Sequence, residues 1–162
     1  MQDALRFWDN AAGKYAQSPI QDMNSYEYTL GRTRTYLNPN DQVLEVGCGT
    51  GSTALLLSND VAHVTASDLS GNMIAIAEQK SRDQNISNVS FVVADMFDDT
   101  NIEGPYDVVL ALNLIHLIED APAALKRLAN LTKPGGYFIS KTVCKPGNEL
   151  PFKFRLMLMA LP

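Results

Sequence analysis

The stretch Gln42-Val43-Leu44-Glu45-Val46-Gly47-Cys48-Gly49-Thr50-Gly51 decides the fold. Gln42 to Val46 is a short β-type run, and it feeds directly into three glycines separated by single residues. Ser52 to Asn59, carrying Leu55-Leu56-Leu57, then reads as a buried helix. Glycines at a strand-to-helix turn let the backbone bend sharply and approach a ligand closely, because no Cβ stands in the way. A dinucleotide-binding loop reads GxGxxG. Here the third glycine comes one residue early, which argues against a pyrophosphate cradle. The plainer reading of the loop is a tight turn.

Working outward, the same alternation repeats. Val61 to Ala66 reads as a second strand ending at Ser67-Asp68. Ser70 is a good helix N-cap, and Met73, Ile74, Ala77 and Lys80 mark a helix to about Arg82. Val89 to Ala94 is a third strand, stopped by Asp95. Tyr106 to Leu112 is a fourth, almost unbroken in its apolar core, as expected for a strand covered on both faces. Asp120 caps the next helix, and Pro122 suits its first turn. Lys133-Pro134-Gly135-Gly136 ends that helix, and Tyr137 to Val143 is a fifth strand. Strand and helix therefore alternate over residues 41–143, which predicts an α/β, doubly wound, mainly parallel sheet with helices on both faces. Ligands of such sheets bind beyond the carboxyl ends of the strands.

Residues 1–40 read as a helical cap. Leu5, Trp8, Ala12 and Tyr15 share one helix face. Ser18-Pro19 breaks that helix, and a second runs from about Ser25 to Leu37. Residues 144–162 end in Pro151 to Pro162, a short apolar and basic helix candidate.

The 162 residues suit a single domain. The net charge is −5 and the isoelectric point about 4.9, which disfavours a nucleic-acid partner. The charge is uneven: residues 42–119 hold 11 acids and 2 bases. No apolar run approaches the ~20 residues of a membrane span. Met1-Gln2-Asp3 lacks the features of a secretory leader, so a cytoplasmic location is expected. Cys48 and Cys144 lie far apart and form no disulfide scaffold or zinc motif.

Three further positions carry chemistry. Asp68, at the end of the second strand, can accept hydrogen bonds from both hydroxyls of a ribose. The plainer reading is a carboxylate beside a helix cap. Asp95-Met96, past the third strand, offers an acceptor for an adenine amino group and an apolar side chain for its ring. The plainer reading there is a turn. His116, three residues after Asn113, is the candidate general base. Its alternative is a packing histidine within Leu114-Ile115-His116-Leu117-Ile118. His63 lies inside a strand and reads as structural. Phe7, Trp8, Tyr15, Tyr26 and Tyr28 could wall a substrate pocket or simply build core. Lys14 and Arg32 could meet an anionic substrate or face water.

Val43 to Gly51, Asp68-Leu69-Ser70-Gly71-Asn72-Met73, Val93-Ala94-Asp95, Tyr106-Asp107-Val108-Val109 and Lys133-Pro134-Gly135-Gly136 together resemble the class I, Rossmann-like methyltransferases that use S-adenosyl-methionine. Five motifs occur in order over most of residues 40–143, and the helical cap resembles the small-molecule branch of that family. The resemblance implies that Gly47, Cys48, Gly49 and Gly51 wrap the methionine part of the cofactor and that Glu45 supports the loop. It implies that Asp68 holds the ribose, with Leu69 or Met73 against the adenine. Asp95 and Met96 would meet the adenine edge, Asn113 and Leu114 would line the methionine end, and Tyr15 would cover the cofactor. The implied reaction is in-line methyl transfer to a small-molecule acceptor, with S-adenosyl-homocysteine as product. An NAD-type oxidoreductase and a non-catalytic, cofactor-binding subunit stay open as alternatives.

The resemblance also bears on length. The family adds a helix and an antiparallel hairpin after the fifth strand, so residues 144–162 read as an incomplete C-terminal segment. An uncovered sheet edge and an apolar tail point to a truncated chain or to a homodimer.

Overall fold

The computed structural model describes residues 2–98 and 100–143. Two helices come first, α1 (Gln2–Gln17) and α2 (Met23–Arg34). They are followed by β1 (Gln42–Val46), α3 (Ser52–Leu57), β2 (His63–Asp68), α4 (Gly71–Asp83), β3 (Val89–Val93), β4 (Tyr106–Leu112), α5 (Ala121–Asn130) and β5 (Thr132–Lys141). Short 3-10 turns occupy Ser58–Asp60 and Ile115–Leu117. The strands form one five-stranded sheet in the order β3-β2-β1-β4-β5, and every pairing is parallel. Chain order reverses direction between β1 and β4, so the topological switch lies there.

The period-two alternation of strands divides the core between the two faces. Val43, Val108 and Leu110 point to one side, where Leu30 of α2, Ala54 and Leu57 of α3 and Ile74 of α4 cover them. Leu44, Val46, Val109 and Ala111 point to the other, against Ala124 and Leu128 of α5 and Phe138. Burial on both faces explains why β1 and β4 have the limits read from sequence. Glu45 shares the α2–α3 side with Val43 and is only 3% exposed.

Several boundaries differ from the sequence reading, three of them with a clear physical cause. The second strand starts at His63 and runs through Asp68, two residues beyond Ala66, because β3 pairs with it up to Asp68↔Val93. The second helix starts at Met23, one turn after Pro19, since Asp22 rather than a later residue caps it by accepting the Ser25 N–H at 2.9 Å. The largest difference is at Lys133 to Gly136. These residues do not simply end α5, which stops at Asn130; they form a bulge inside β5, between the pairs Tyr106↔Thr132 and Val108↔Tyr137. A Cβ at Gly136 would lie 2.5 Å from the Asp107 carbonyl, so the close approach of β4 demands glycine there. Lys133 closes the bulge with an ion pair to Asp107, Nζ to Oδ1 at 2.8 Å.

Residues 144–162, which include the apolar tail, lie outside the described residues. Among the described residues no helix is long and apolar enough to cross a membrane.

Candidate functional site

The carboxyl ends of β1, β2 and β4 open into a cavity of about 620 Å³. The glycine loop forms its floor. Gly47, Gly49 and Gly51 all have positive φ, at 69°, 54° and 74°. At Gly47 a Cβ would come 2.8 Å from Leu114 Cδ1. At Gly51 it would come 2.7 Å from Ala77 Cβ and 2.8 Å from Phe91 Cε1. Gly51 thus seats the loop against α4 and β3, behind the cavity, while Gly47 and Gly49 face into it. Cys48 donates its N–H to the Ser67 carbonyl at 2.9 Å, tying the loop to β2. Its thiol is buried, and burial pushes it well above the usual thiol range, so it is an inert wall group.

Asp68 organises the middle of the site. Its Oδ2 accepts the Gly49 N–H at 2.8 Å and its Oδ1 accepts the Ser70 N–H at 2.9 Å. A carboxylate has about four acceptor sites, so both oxygens keep capacity for a ligand hydroxyl. Burial lifts its pKa, the Ser70 and Gly49 N–H groups pull it back, and the nearby Asp9 carboxylate adds to the lift. Asp9 is a residue the sequence reading missed. Ser70 Oγ donates to Asp9 Oδ1 at 2.5 Å while accepting the Met73 N–H at 3.1 Å. One hydroxyl therefore caps α4 and docks α1 onto it. Asn72 adds a second tie, its Nδ2 donating to the Asp9 carbonyl at 3.1 Å.

Docked in this way, α1 roofs the cavity with Trp8 and Tyr15, whose rings meet edge to face at 6.2 Å. Tyr15 Cε1 would lie 3.7 Å from a Cβ at Gly49. Tyr26 also lines the wall, its hydroxyl 3.2 Å from Thr53 Oγ1. Phe7 and Tyr28 are exposed, at 61% and 58%, and take no part.

Glu45 is the electrostatic centre. Burial lifts its carboxyl to about 8, opposed by the Ala54 backbone N–H and reinforced by Asp68. Its Oε2 is buried without a hydrogen-bond partner, although the residue borders the cavity. A buried acceptor left unsatisfied is costly, and a cation placed in the cavity would relieve it.

The residues that the sequence resemblance assigns to an adenine also converge. Leu69, Met73, Asp95 and Met96 line the cavity with Asp68. Met73 and Met96 are buried, at 2% and 6% exposure. Asp95 Oδ1 accepts the Phe97 N–H at 2.8 Å, so it makes the local turn as well as facing the cavity. Asn113 stands at the end of β4 with φ of 59°. A positive φ in a non-glycine residue is uncommon, and asparagine tolerates it better than most. Its N–H donates to the Lys141 carbonyl at 2.7 Å.

His116 is not brought to this wall. The turn Ile115–Leu117 sends Ile115 into the core, and Leu117 and Ile118 line the cavity. His116 is left exposed, with Nδ1 3.4 Å from Thr142 Oγ1. Of the residues expected to hold the cofactor or act as base, His116 and Gly51 lie outside the lining. Lys14 and Arg32 are outside it too. Two lysines that the sequence reading passed over are inside. Lys80 donates to Thr50 Oγ1 at 2.8 Å and Ser52 Oγ at 3.0 Å, clamping the loop. Lys141 ends β5. Their only sequence signal was position: Lys141 follows the rule that ligands gather at strand ends.

Comparison with known proteins identifies the family and fold. A methyltransferase-domain family model matches residues 43–136. The chain is 33% identical over 163 residues to a phosphoethanolamine N-methyltransferase of Triticum aestivum, covering 90% of this chain and 31% of that protein. It is 29% identical over 157 residues to a ubiquinone biosynthesis O-methyltransferase of Xanthomonas campestris, covering 96% of this chain and 62% of that one. It thus spans less than two thirds of either relative. Among solved structures, a DhpI-SAM-HEP complex superposes with a TM-score of 0.73 at 28% identity, over 89% of this chain and 66% of that one. From the glycine loop to the bulged fifth strand, the chain belongs to the class I S-adenosyl-methionine-dependent methyltransferase family.

Proposed function

We propose that the cavity binds S-adenosyl-methionine and that the chain transfers its methyl group to a small-molecule acceptor, leaving S-adenosyl-homocysteine. The observation that carries this reading is Glu45, whose buried and unpartnered Oε2 borders a cavity floored by close-approach glycines. That site fits a ligand with positive charge at the loop and hydroxyls at Asp68. When bound, the cofactor supplies an electrophilic methyl group on a sulfonium sulfur.

The chain's own residues bind, orient and exclude water. Gly47 and Gly49 give backbone access, and Lys80 holds the loop through Thr50 and Ser52. Asp68 is already fixed by two backbone N–H groups, so it meets a ribose without reorganising. Leu69, Met73 and Met96 offer the apolar slot for adenine, with Asp95 at its edge. The faces of Trp8 and Tyr15 are electron-rich and favour a cation beneath them. Alignment and a dry cavity supply most of what in-line transfer needs.

The NAD-type alternative is not favoured, because the loop lacks GxGxxG spacing and the relatives are named as methyltransferases. The transfer is proposed to run without a proton relay through His116, since that ring is outside the lining. Wild-type turnover in His116→Ala supports this; slowed turnover at unchanged cofactor affinity restores histidine as the base. The outer edge of β5 is open among the described residues. Pairing of two copies along it is the partner reading, which light scattering tests: a dimer supports it and a clean monomer removes it. The reading as a whole is tested with radiolabelled S-adenosyl-methionine and a panel of small acceptors. Labelled product supports it, and binding without turnover on any acceptor favours a non-catalytic role.

A further inference from the structure

The cavity is polarised along the sheet. In the order β3, β2, β1, β4, β5, the polar residues at or within two positions of the carboxyl ends of the strands that line the cavity include Asp95, Asp68, Glu45, Asn113 and Lys141. Acids occupy the first three strands, a neutral amide the fourth and an ammonium the fifth. With adjacent strands about 4.8 Å apart, β5 stands roughly 14 Å from β2. An adenosyl group held at β3, β2 and β1 would therefore leave the β4–β5 end free.

Lys141 at that end lines the cavity and is partly buried. Among the described residues its ammonium has one hydrogen bond, a long one of 3.4 Å to Ser25 Oγ, and no ion pair. Asp22 is the carboxylate that acts on it electrostatically, and Asp22 is engaged as the N-cap of α2. Burial pulls the Lys141 pKa below the ordinary lysine range, and Asp22 only partly opposes this. The other lysine on the wall, Lys80, is occupied by Thr50 and Ser52. Lys141 is thus a partly desolvated donor with spare protons, beside Asn113 where β4 and β5 end. An ammonium in a partly desolvated position is stabilised by a nearby anion.

We propose that Lys141, at the β5 end of the cavity, selects a small anionic acceptor, one carrying a carboxylate or phosphate-type oxyanion. This rests on the reading that the β3–β1 end holds the cofactor. Lys141 would be a specificity-determining residue that anchors the acceptor by its charged group and leaves the nucleophile facing the loop.

The test uses the 162-residue chain saturated with S-adenosyl-homocysteine. Inorganic phosphate, propionate and the uncharged propionamide are titrated at constant ionic strength, following the backbone amides of Asn113 and Lys141 by NMR. Saturable shifts are expected with at least one anion and not with propionamide. The tighter anion identifies the phosphate or carboxylate source. Lys141→Met should weaken anion binding at least tenfold, Lys141→Arg should keep it within about threefold, and both should bind S-adenosyl-homocysteine like wild type. Equal anion affinity in Lys141→Met, no saturable response to either anion, or equal binding of propionamide would overturn the proposal. Failure of the wild type to bind S-adenosyl-homocysteine at all would overturn the cofactor reading, and this proposal with it.

Discussion

Replacing Glu45 by glutamine removes a carboxylate that the fold buries with one oxygen unpaired. Burial raises its pKa from the ordinary 4.5 to about 8. Below pH 4.5 the group is protonated in both the folded and unfolded chain, and it costs nothing. Between those values the folded chain holds a proton that the unfolded chain has released, so stability falls as pH rises. Each pH unit removes about 1.4 kcal/mol, and the full span approaches ~5 kcal/mol above the folded pKa. Glutamine has the same shape and does not titrate. Urea unfolding of the ligand-free proteins should therefore show wild type losing about 3–4 kcal/mol relative to Glu45→Gln between pH 5 and pH 8. Any fixed cost of the amide shifts both ends equally and leaves the difference. Asp68 is also raised, but it is common to both proteins. A cation in the cavity should reverse the trend, because it favours the charged carboxylate. Calorimetry in buffers of different ionisation enthalpy should then show wild type releasing close to one proton at pH 7 on binding S-adenosyl-methionine, and the variant releasing none from this group. A wild-type-minus-variant difference that stays flat with pH would refute the assignment of a buried, strained carboxylate.

Three other substitutions probe the frame around it. Gly51→Ala forces a Cβ to within 2.8 Å of both Ala77 and Phe91 at a φ of 74°, so it should cost about 3 kcal/mol in unfolding free energy; a change under about 0.5 kcal/mol would contradict the packing described. Asp9→Ala removes the Ser70 tie, and hydrogen exchange over α1 should rise while β1 and β4 stay protected; unchanged exchange would show that the Asp9 carboxylate does not dock the helix. Asp68→Ala should weaken cofactor binding by about 1–3 kcal/mol, the cost of losing charged hydrogen bonds, and unchanged affinity would remove Asp68 from the site.

How far the sequence carried the account depended on what each residue had to satisfy. β1 and β4 were legible to the residue because both are covered on both faces, which leaves a largely apolar run, broken in β1 by the buried Glu45. The glycine loop, Asp68 and Asp95 were legible because strand ends concentrate ligand groups. Gly135 and Gly136 misled, since glycine after a helix reads as a stop, whereas Gly136 is required by the Asp107 carbonyl of the neighbouring strand. Asp9 was illegible because its partner Ser70 is 61 residues away and its role appears only once α1 lies on α4. Charge offered Lys14 and Arg32 either as contacts for an anionic substrate or as solvated groups, and both are exposed and outside the cavity lining. Lys141 and Lys80 face in, and that depends on strand register and helix placement rather than on composition.

The central claim is that this cavity is a site for an adenosyl sulfur cofactor. It is tested most directly by calorimetric titration of the chain with S-adenosyl-homocysteine, with NADH titrated in parallel. One-to-one binding of S-adenosyl-homocysteine in the micromolar range, with NADH inert, is the predicted result. Micromolar NADH binding with no response to S-adenosyl-homocysteine would contradict it.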